Sequence, residues 1–359
     1  MSRRNFWSGC GLAIALALTA VPAAAQLTVS NEDVRFRFGA LGQFWGDWTQ
    51  DPATSGYSQN LYIRRARLIV SGEIGKNLTF FFETDAPNMG KTPKALGSGF
   101  LVQDAFLEYK VNNAFRVDGG LMLVPFSRNG LQSPASYSTL DISPLATVAN
   151  APTQSSVLRD AGFAASGFFL ADHLQYRIGA FQGQRDPNAR NSLRSAGYLQ
   201  YDFFDTETTY TFAGTALGKK KILAVDCGFD KQGAYRGYSA NVAAAKPVHG
   251  GDEIGGQFQF LTYDGRNKFP VISHQNDYVA EATYYVHRAR VQPFGKFESQ
   301  NFVEAAARNK DINRYGTGVN YYIRGQNLKW TLQYLRALPR NSATAPSNEV
   351  TMQLQFFYF

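Results

Sequence analysis

The chain has 359 residues, 44% hydrophobic and 14% aromatic, with 36 basic against 28 acidic residues, a formal charge of +8 and a mean hydropathy of −0.27. Beyond the N-terminus no window approaches the ~18 consecutive apolar residues of a membrane-spanning helix, so a helical membrane protein is excluded. Two cysteines, Cys10 and Cys227, do not make a disulfide scaffold, and the modest positive charge suits small anions or an anionic surface better than nucleic acid.

Met1-Ser2-Arg3-Arg4 stand before an apolar run over residues 11–21 and then Ala23-Ala24-Ala25. A positive start, a short apolar run and an A-x-A site make a secretory signal peptide, with cleavage expected after Ala25. Its removal leaves 36 − 2 = 34 basic and 28 acidic residues, a net charge of +6, on an exported chain of residues 26–359. Cys10 leaves with the peptide, so Cys227 has no intramolecular partner.

Taken in order, the exported chain reads as segments of roughly ten residues with period-2 alternation, joined by connectors that are long and short in turn. Over 34–48, Val34, Phe36, Phe38 and Ala40 share one face, and Arg35, Arg37 and Gln43 the other. Residues 59–85 form a hairpin around a tight 75–77 turn, with Arg65, Arg67, Ile69, Ser71 and Glu73 on one face and Tyr62, Arg64, Ala66, Leu68 and Val70 on the other. After a longer loop at 86–100, strands at 102–110 and 115–126 flank Asn112-Asn113, a residue type that tolerates positive φ in a turn. The pattern then vanishes from 127 to 156, a length that points to a functional loop.

Strands resume at 158–170, 174–183, 193–204 and 220–228; residues 205–219 read equally as a long turn or a short strand. Segments at 235–245, 253–263, 278–286, 291–300, 312–323, 328–338 and 349–359 complete a set of about sixteen. No repeat or composition break marks a second domain. The reading is all-β: one transmembrane antiparallel β-barrel with a long inward-folded loop, lipid outside and water within. The rival architecture is a secreted β-sandwich used as a binding module, in which the apolar faces would be core.

The last strand alternates until four terminal aromatics, Phe356-Phe357-Tyr358-Phe359, which suit an interfacial girdle. Phe359 is similar to the terminal phenylalanine that the barrel assembly machinery reads, although the apolar face Val350, Met352, Leu354, Phe356 and Tyr358 is one residue out of phase with it.

Several motifs carry a resemblance: Tyr62-Ile63-Arg64-Arg65-Ala66-Arg67-Leu68 with Gly72 and Asp85, Asp104-Ala105-Phe106-Leu107-Glu108-Tyr109, Pro125-Phe126-Ser127, Arg159-Asp160-Ala161-Gly162 and Leu217-Gly218-Lys219-Lys220-Lys221. In this order they resemble the phosphate-selective porin O/P family of Gram-negative outer membranes. The resemblance implies a 16-stranded homotrimeric barrel in the outer membrane, among outer-membrane lipids and lipopolysaccharide, whose inward loop and basic ladder conduct small anions such as phosphate. The loop at 127–156 departs from that pattern, because Arg128 is its only base and Asp141 its only acid. A general or weakly anion-selective porin fits such a loop better than a tight phosphate filter.

Strand phase assigns Arg35, Arg37, Arg65, Arg67, Arg116 and Arg177 to the lumen as pore-lining, anion-binding residues, with Arg128 and Arg159 bracketing the long loop. The alternative for each is a pairing with a lumen acid such as Asp104, Glu108 or Asp118 that only braces the wall. Arg64 falls on the lipid-facing phase, where an arginine at mid-membrane costs roughly 2–4 kcal/mol. It must therefore lie near a rim, face a neighbouring subunit, or sit at a bulge that turns it inward. No enzyme constellation stands: His173, His249, His274 and His287 lack metal-ligand spacing, no G-x-S-x-G occurs, and Gly90-Lys91-Thr92 lacks the upstream glycine of a phosphate loop. A dispersed lipase-like Ser-His pair is the remaining enzyme reading, and no cofactor or metal is called for.

Overall fold

A computed structural model describes residues 27–30, 33–91, 94, 96–97, 99–185, 192–341 and 344–359, so the expected signal peptide lies outside the described residues. Sixteen strands form the wall, preceded by a short β1 (Leu27–Ser30). They are β2 (Val34–Gln50), β3 (Tyr57–Ile74), β4 (Leu78–Asp85), β5 (Leu101–Lys110), β6 (Arg116–Leu123), β7 (Arg159–Phe169), β8 (Leu174–Phe181) and β9 (Arg194–Asp202). The second half holds β10 (Ile222–Gln232), β11 (Tyr235–Pro247), β12 (Glu253–Asp264), β13 (Gln275–Tyr285), β14 (Val291–Phe302), β15 (Ile312–Gln326), β16 (Leu328–Pro339) and β17 (Ser347–Tyr358).

Each strand pairs antiparallel with the next, and β17 returns to β2 over the register Glu349↔Thr49 to Tyr358↔Ala40. The sheet is therefore a closed barrel with no open edge, the all-strand solution to spanning lipid. β1 pairs with β2 from Leu27↔Phe38 to Ser30↔Arg35, the stretch of β2 just past the end of β17.

The faces are the reverse of a soluble sandwich. On β17 Met352, Leu354, Phe356 and Tyr358 stand exposed on the outside while Thr351, Gln353 and Gln355 are buried within. β12 repeats this with Phe258 outside and Gln257 and Gln259 inside. Apolar residues facing outward from a polar interior rule out the sandwich reading and leave the barrel. Phe359 follows its sequence phase: its ring turns inward to Phe81, 6.2 Å between centroids, beside Gly39.

The alternatives for Arg64 reduce to one, the bulge, and two expectations, the face of Tyr62 and the connector alternation, are corrected. A register shift between Gln43 and Phe44, opposite Arg65 and Ile63, makes Arg64 the extra residue of a β-bulge. Strict alternation fails there, so Arg64 points inward, and Tyr62, expected on the lipid face, is buried against Trp45 and Leu140. Connector alternation also fails once at each end. The connection at 203–221 is long where a short turn is expected, and Gly233 and Ala234 alone join β10 to β11 at the long-loop end. The ambiguous stretch at 205–219 is no wall strand; it folds into the barrel.

Leu332 lies on the outer face between Thr331 and Gln333, which point inward. Leu332→Arg should cost about 2–4 kcal/mol if this face meets mid-membrane lipid, read as a lower unfolding midpoint in heat-modifiable gel migration. Unchanged stability would place the face in water.

Candidate functional site

The long loop between β6 and β7 folds into the lumen as a chain of short 3-10 turns at Asn129–Leu131, Pro134–Ser136 and Pro144–Thr147. Pro134 and Pro144 open two of these turns, where a missing N–H costs nothing. The loop's carbonyls need partners, and the wall supplies them. Gln43 Nε2 donates to Pro134 O (3.1 Å), Gln355 Nε2 to Ala135 O (2.8 Å), Lys329 Nζ to Tyr137 O (3.0 Å), Asn320 Nδ2 to Ser138 O (2.7 Å) and Lys296 Nζ to Asp141 O (3.2 Å). Those donors stand on β2, β17, β16, β15 and β14, neighbours in that order around the barrel. The loop is thus laid along the wall one carbonyl at a time. On the next wall, Glu281 accepts from Ser138 Oγ (3.1 Å) and Thr139 Oγ1 (3.0 Å).

A second segment, residues 203–221, enters from the opposite end and meets this loop. Phe212 N donates to Leu131 O (2.9 Å), Ser133 N to Phe212 O (2.9 Å) and Gly214 N to Ser136 O (3.1 Å). Phe212 is fully buried among Leu123, Leu131, Leu158 and Tyr198. Sequence reasoning missed this half of the constriction. Its one signal was length, since no lumen phase can be read from an irregular segment.

All eight predicted arginines face the lumen or its loop, in two sets. In the first set each is buried and matched by a carboxylate. Arg65 Nη2 lies 2.6 Å from Asp141, Arg67 bridges Glu83 (2.6 Å) and Asp85 (2.9 Å), Arg128 meets Glu207 (2.7 Å) and Arg159 meets Asp104 (2.9 Å). Arg64, turned inward by the bulge, shares Asp141 at 2.9 Å and lies over the Trp45 ring. Burial alone would raise the Asp141 carboxyl, but Arg64 and Arg65 outweigh it and hold it below the ordinary range.

The second set, Arg35, Arg37, Arg116 and Arg177, lines a vestibule of about 480 Å³ at the short-turn end, below the two inward segments. Arg35 and Arg37 reach Glu73 only at 3.6 and 3.7 Å, and Arg116 reaches Glu108 at 3.5 Å. Arg177 has no ion pair among the described residues; it donates to Tyr210 O (2.7 Å) and Thr209 O (2.9 Å) and lies over Phe212. With Glu73, Glu108 and Asp118, the charged residues lining the vestibule sum to 4 − 3 = +1.

Basic residues missed from sequence include Arg194, held by Asp230 at 2.7 Å, Lys296, held by Glu298 at 2.9 Å, Lys329, and Arg314 opposite Glu298. The lumen phase of Arg194 with Gln200 and Asp202 was a usable signal. No group of His, Cys, Asp and Glu suited to a metal occurs among the described residues.

The family model for phosphate-selective porin O and P matches residues 38–221. No curated protein sequence matches the chain. Among solved structures it is similar to OmpF of Salmonella typhi in complex with daunomycin (TM-score 0.62, 13% identity, 92% of this chain and 100% of that chain). It is also similar to the outer membrane channel DcaP of Acinetobacter baumannii (TM-score 0.59, 11% identity, 92% and 99%). A third is the trimer form of the outer membrane protein OmpT of Vibrio cholerae (TM-score 0.54, 11% identity, 91% and 100%). These likenesses establish the fold, a 16-stranded porin barrel.

Two outcomes follow from the ion pairs. Arg67→Ala, which strands Glu83 and Asp85, should cost about 3–5 kcal/mol, measured by urea titration of the detergent-solubilised barrel; a cost below about 1 kcal/mol would mean that lumen water already screens the cluster. Because the folded pKa of Asp141 is depressed, its anchoring is complete above the ordinary carboxylate value and is lost as pH falls below it. The contribution of Asp141 to single-channel conductance, taken as the difference between the wild type and Asp141→Asn, should therefore stay level from about pH 7 to about pH 4; a difference that titrates within that window would contradict the Arg64–Asp141–Arg65 geometry.

Proposed function

The chain belongs to the phosphate-selective porin O and P family, and on that premise we propose an outer-membrane porin that passes small hydrophilic solutes by passive diffusion, with a modest preference for anions. Phosphate is one such anion, and tight phosphate selection is not part of the reading. The single observation that carries it is the division of the arginines. At the constriction every predicted arginine is matched by a carboxylate at 2.9 Å or less, and Lys329 is spent on the Tyr137 carbonyl at 3.0 Å, so none of the predicted arginines is left free there to strip and hold an oxyanion. In the vestibule four guanidiniums stand accessible or loosely paired, and Arg177 has no carboxylate of its own. Such a mouth raises local anion concentration without binding any one anion tightly.

A second reading, a general porin with no preference, is favoured by one observation. Asp277, Glu281 and Glu298 line the inner face of β13 and β14 with Lys296 and, opposite Glu298 on β15, Arg314 as close bases, so the inward loop lies between an arginine-bearing wall and one with more acids than bases. Fields of opposite sign across the lumen cancel along its axis and leave little net selectivity.

Export through a cleaved signal peptide, a homotrimer, and recognition of Phe359 by the assembly machinery complete the proposal. No catalytic role is assigned. The zero-current potential of the purified protein in a planar bilayer under a KCl gradient tests the charge preference. A modest anion-selective potential is expected, and cation selectivity would overturn the reading. Arg177→Ala should reduce the potential while leaving conductance within about twofold, and millimolar phosphate should not block chloride current; block at micromolar phosphate would instead mark a specific filter.

A further inference from the structure

The outer wall over β8–β11 carries a groove of about 590 Å³ that the lumen chemistry does not use. Its outward side chains are Ile178, Leu199, Cys227, Phe229 and Tyr238, and its upper end is Lys231. Gly197 opens it: the Phe229 ring lies across the space its side chain would fill. Lys231 sits one residue from the end of β10 and pairs directly with Arg236 of β11. Two like charges directly opposite on one face repel. Neither has a hydrogen-bond or ion-pair partner among the described residues, and the carboxylate opposite Arg236, Asp264, is already engaged by Arg266 at 2.8 Å. Lys268 lies beside the same turn, with its stem 3.7 Å from the position of a Gly233 side chain. Among the described residues, Lys231, Arg236, Arg266 and Lys268 therefore stand with the single carboxylate of Asp264 at this point of the rim.

The two-residue connection at 233–234 is also the shortest at the long-loop end. Long loops mark the outward-facing end of such barrels, which places this cationic cluster on the outer-leaflet side, at the end of the apolar groove.

We propose that this groove and its rim form a binding site for a phosphorylated glycolipid of the outer leaflet, its phosphate held by Lys231 and Arg236 and one acyl chain lying along Ile178, Leu199, Cys227 and Phe229. The inference rests on the outer-membrane reading above and adds to it a defined lipid site with charge complementarity. Arginine and lysine suit the phosphate, and the rim charge attracts an anionic leaflet.

Cys227 supplies the readout, being exposed within the groove and the only cysteine among the described residues. The rate of its alkylation by a maleimide is measured on the whole detergent-solubilised protein with bis-phosphorylated lipid A, with the same lipid dephosphorylated, and with inorganic phosphate. Lipid A should slow alkylation roughly fivefold or more while the other two leave it unchanged, and Lys231→Ser with Arg236→Ser should raise the lipid A concentration needed for half-protection roughly tenfold. Equal protection by the dephosphorylated lipid, undiminished protection in the double variant, or protection by oligomerisation without lipid would each overturn the site. Conductance of the same preparation is recorded in parallel. Normal conductance without protection sinks this inference alone, whereas absent conductance from folded, heat-modifiable protein counts against the porin reading itself.

Discussion

Two irregular segments inside a barrel must find partners for backbone groups that no strand can satisfy, and the rest of this lumen is arranged around that requirement. Where a free pore wall could carry any polar residue, this one carries long donors at set heights: Gln43, Gln355, Lys329, Asn320 and Lys296 each meet a carbonyl of the loop segment 134–141. Unpaired carbonyls in a narrow lumen would cost about 1–3 kcal/mol each. The five contacts fix where the loop lies and hence the shape of the passage. Much of the glutamine and asparagine on the inner faces is therefore explained by docking of the protein's own chain, before any solute is considered.

The same confinement governs the charges. An arginine in a wide aqueous pore can stand alone, but one packed under an inward loop loses water and demands a carboxylate. Asp141 shows the logic in one residue: it is the only acid of the loop, and Arg64 and Arg65 both converge on it. Matching cations to anions makes the constriction nearly neutral. Charge is left loosely matched where the packing is looser, in the vestibule around Arg177, and that is where the proposed anion preference would originate.

The wall was legible from sequence because it depends on a local rule. Period-2 alternation located all sixteen wall strands and set Arg35, Arg37, Arg65 and Arg67 inward without knowledge of any neighbour. Arg64 escaped that rule because a bulge is decided by the partner strand: its extra residue is defined only against the Gln43–Phe44 step of β2. Ion pairing escaped for a related reason. Arg159 and Asp104 are 55 residues apart and Arg128 and Glu207 are 79 apart (207 − 128), so the pairing follows from closure of the barrel and leaves no trace in strand phase. The segment at 203–221 was read as ambiguous for want of a pattern, and a segment that bonds to another loop at the barrel centre has none to show.

That central meeting changes what the inward loop can do. Loops reaching in from one end can in principle swing back toward that end. Here Phe212 of the segment from the other end exchanges backbone hydrogen bonds with Leu131 and Ser133, and Glu207 of the same segment holds Arg128 at the root of the loop. Displacing either segment breaks the backbone contacts of both, together with a buried ion pair and the apolar seat of Phe212 among Leu123, Leu131, Leu158 and Tyr198. The two segments behave as one body tied to the wall from both ends. A lumen of this kind has a passage of fixed form, and under the proposed function its response to solutes would come from the electrostatics of its mouth rather than from movement of its loop.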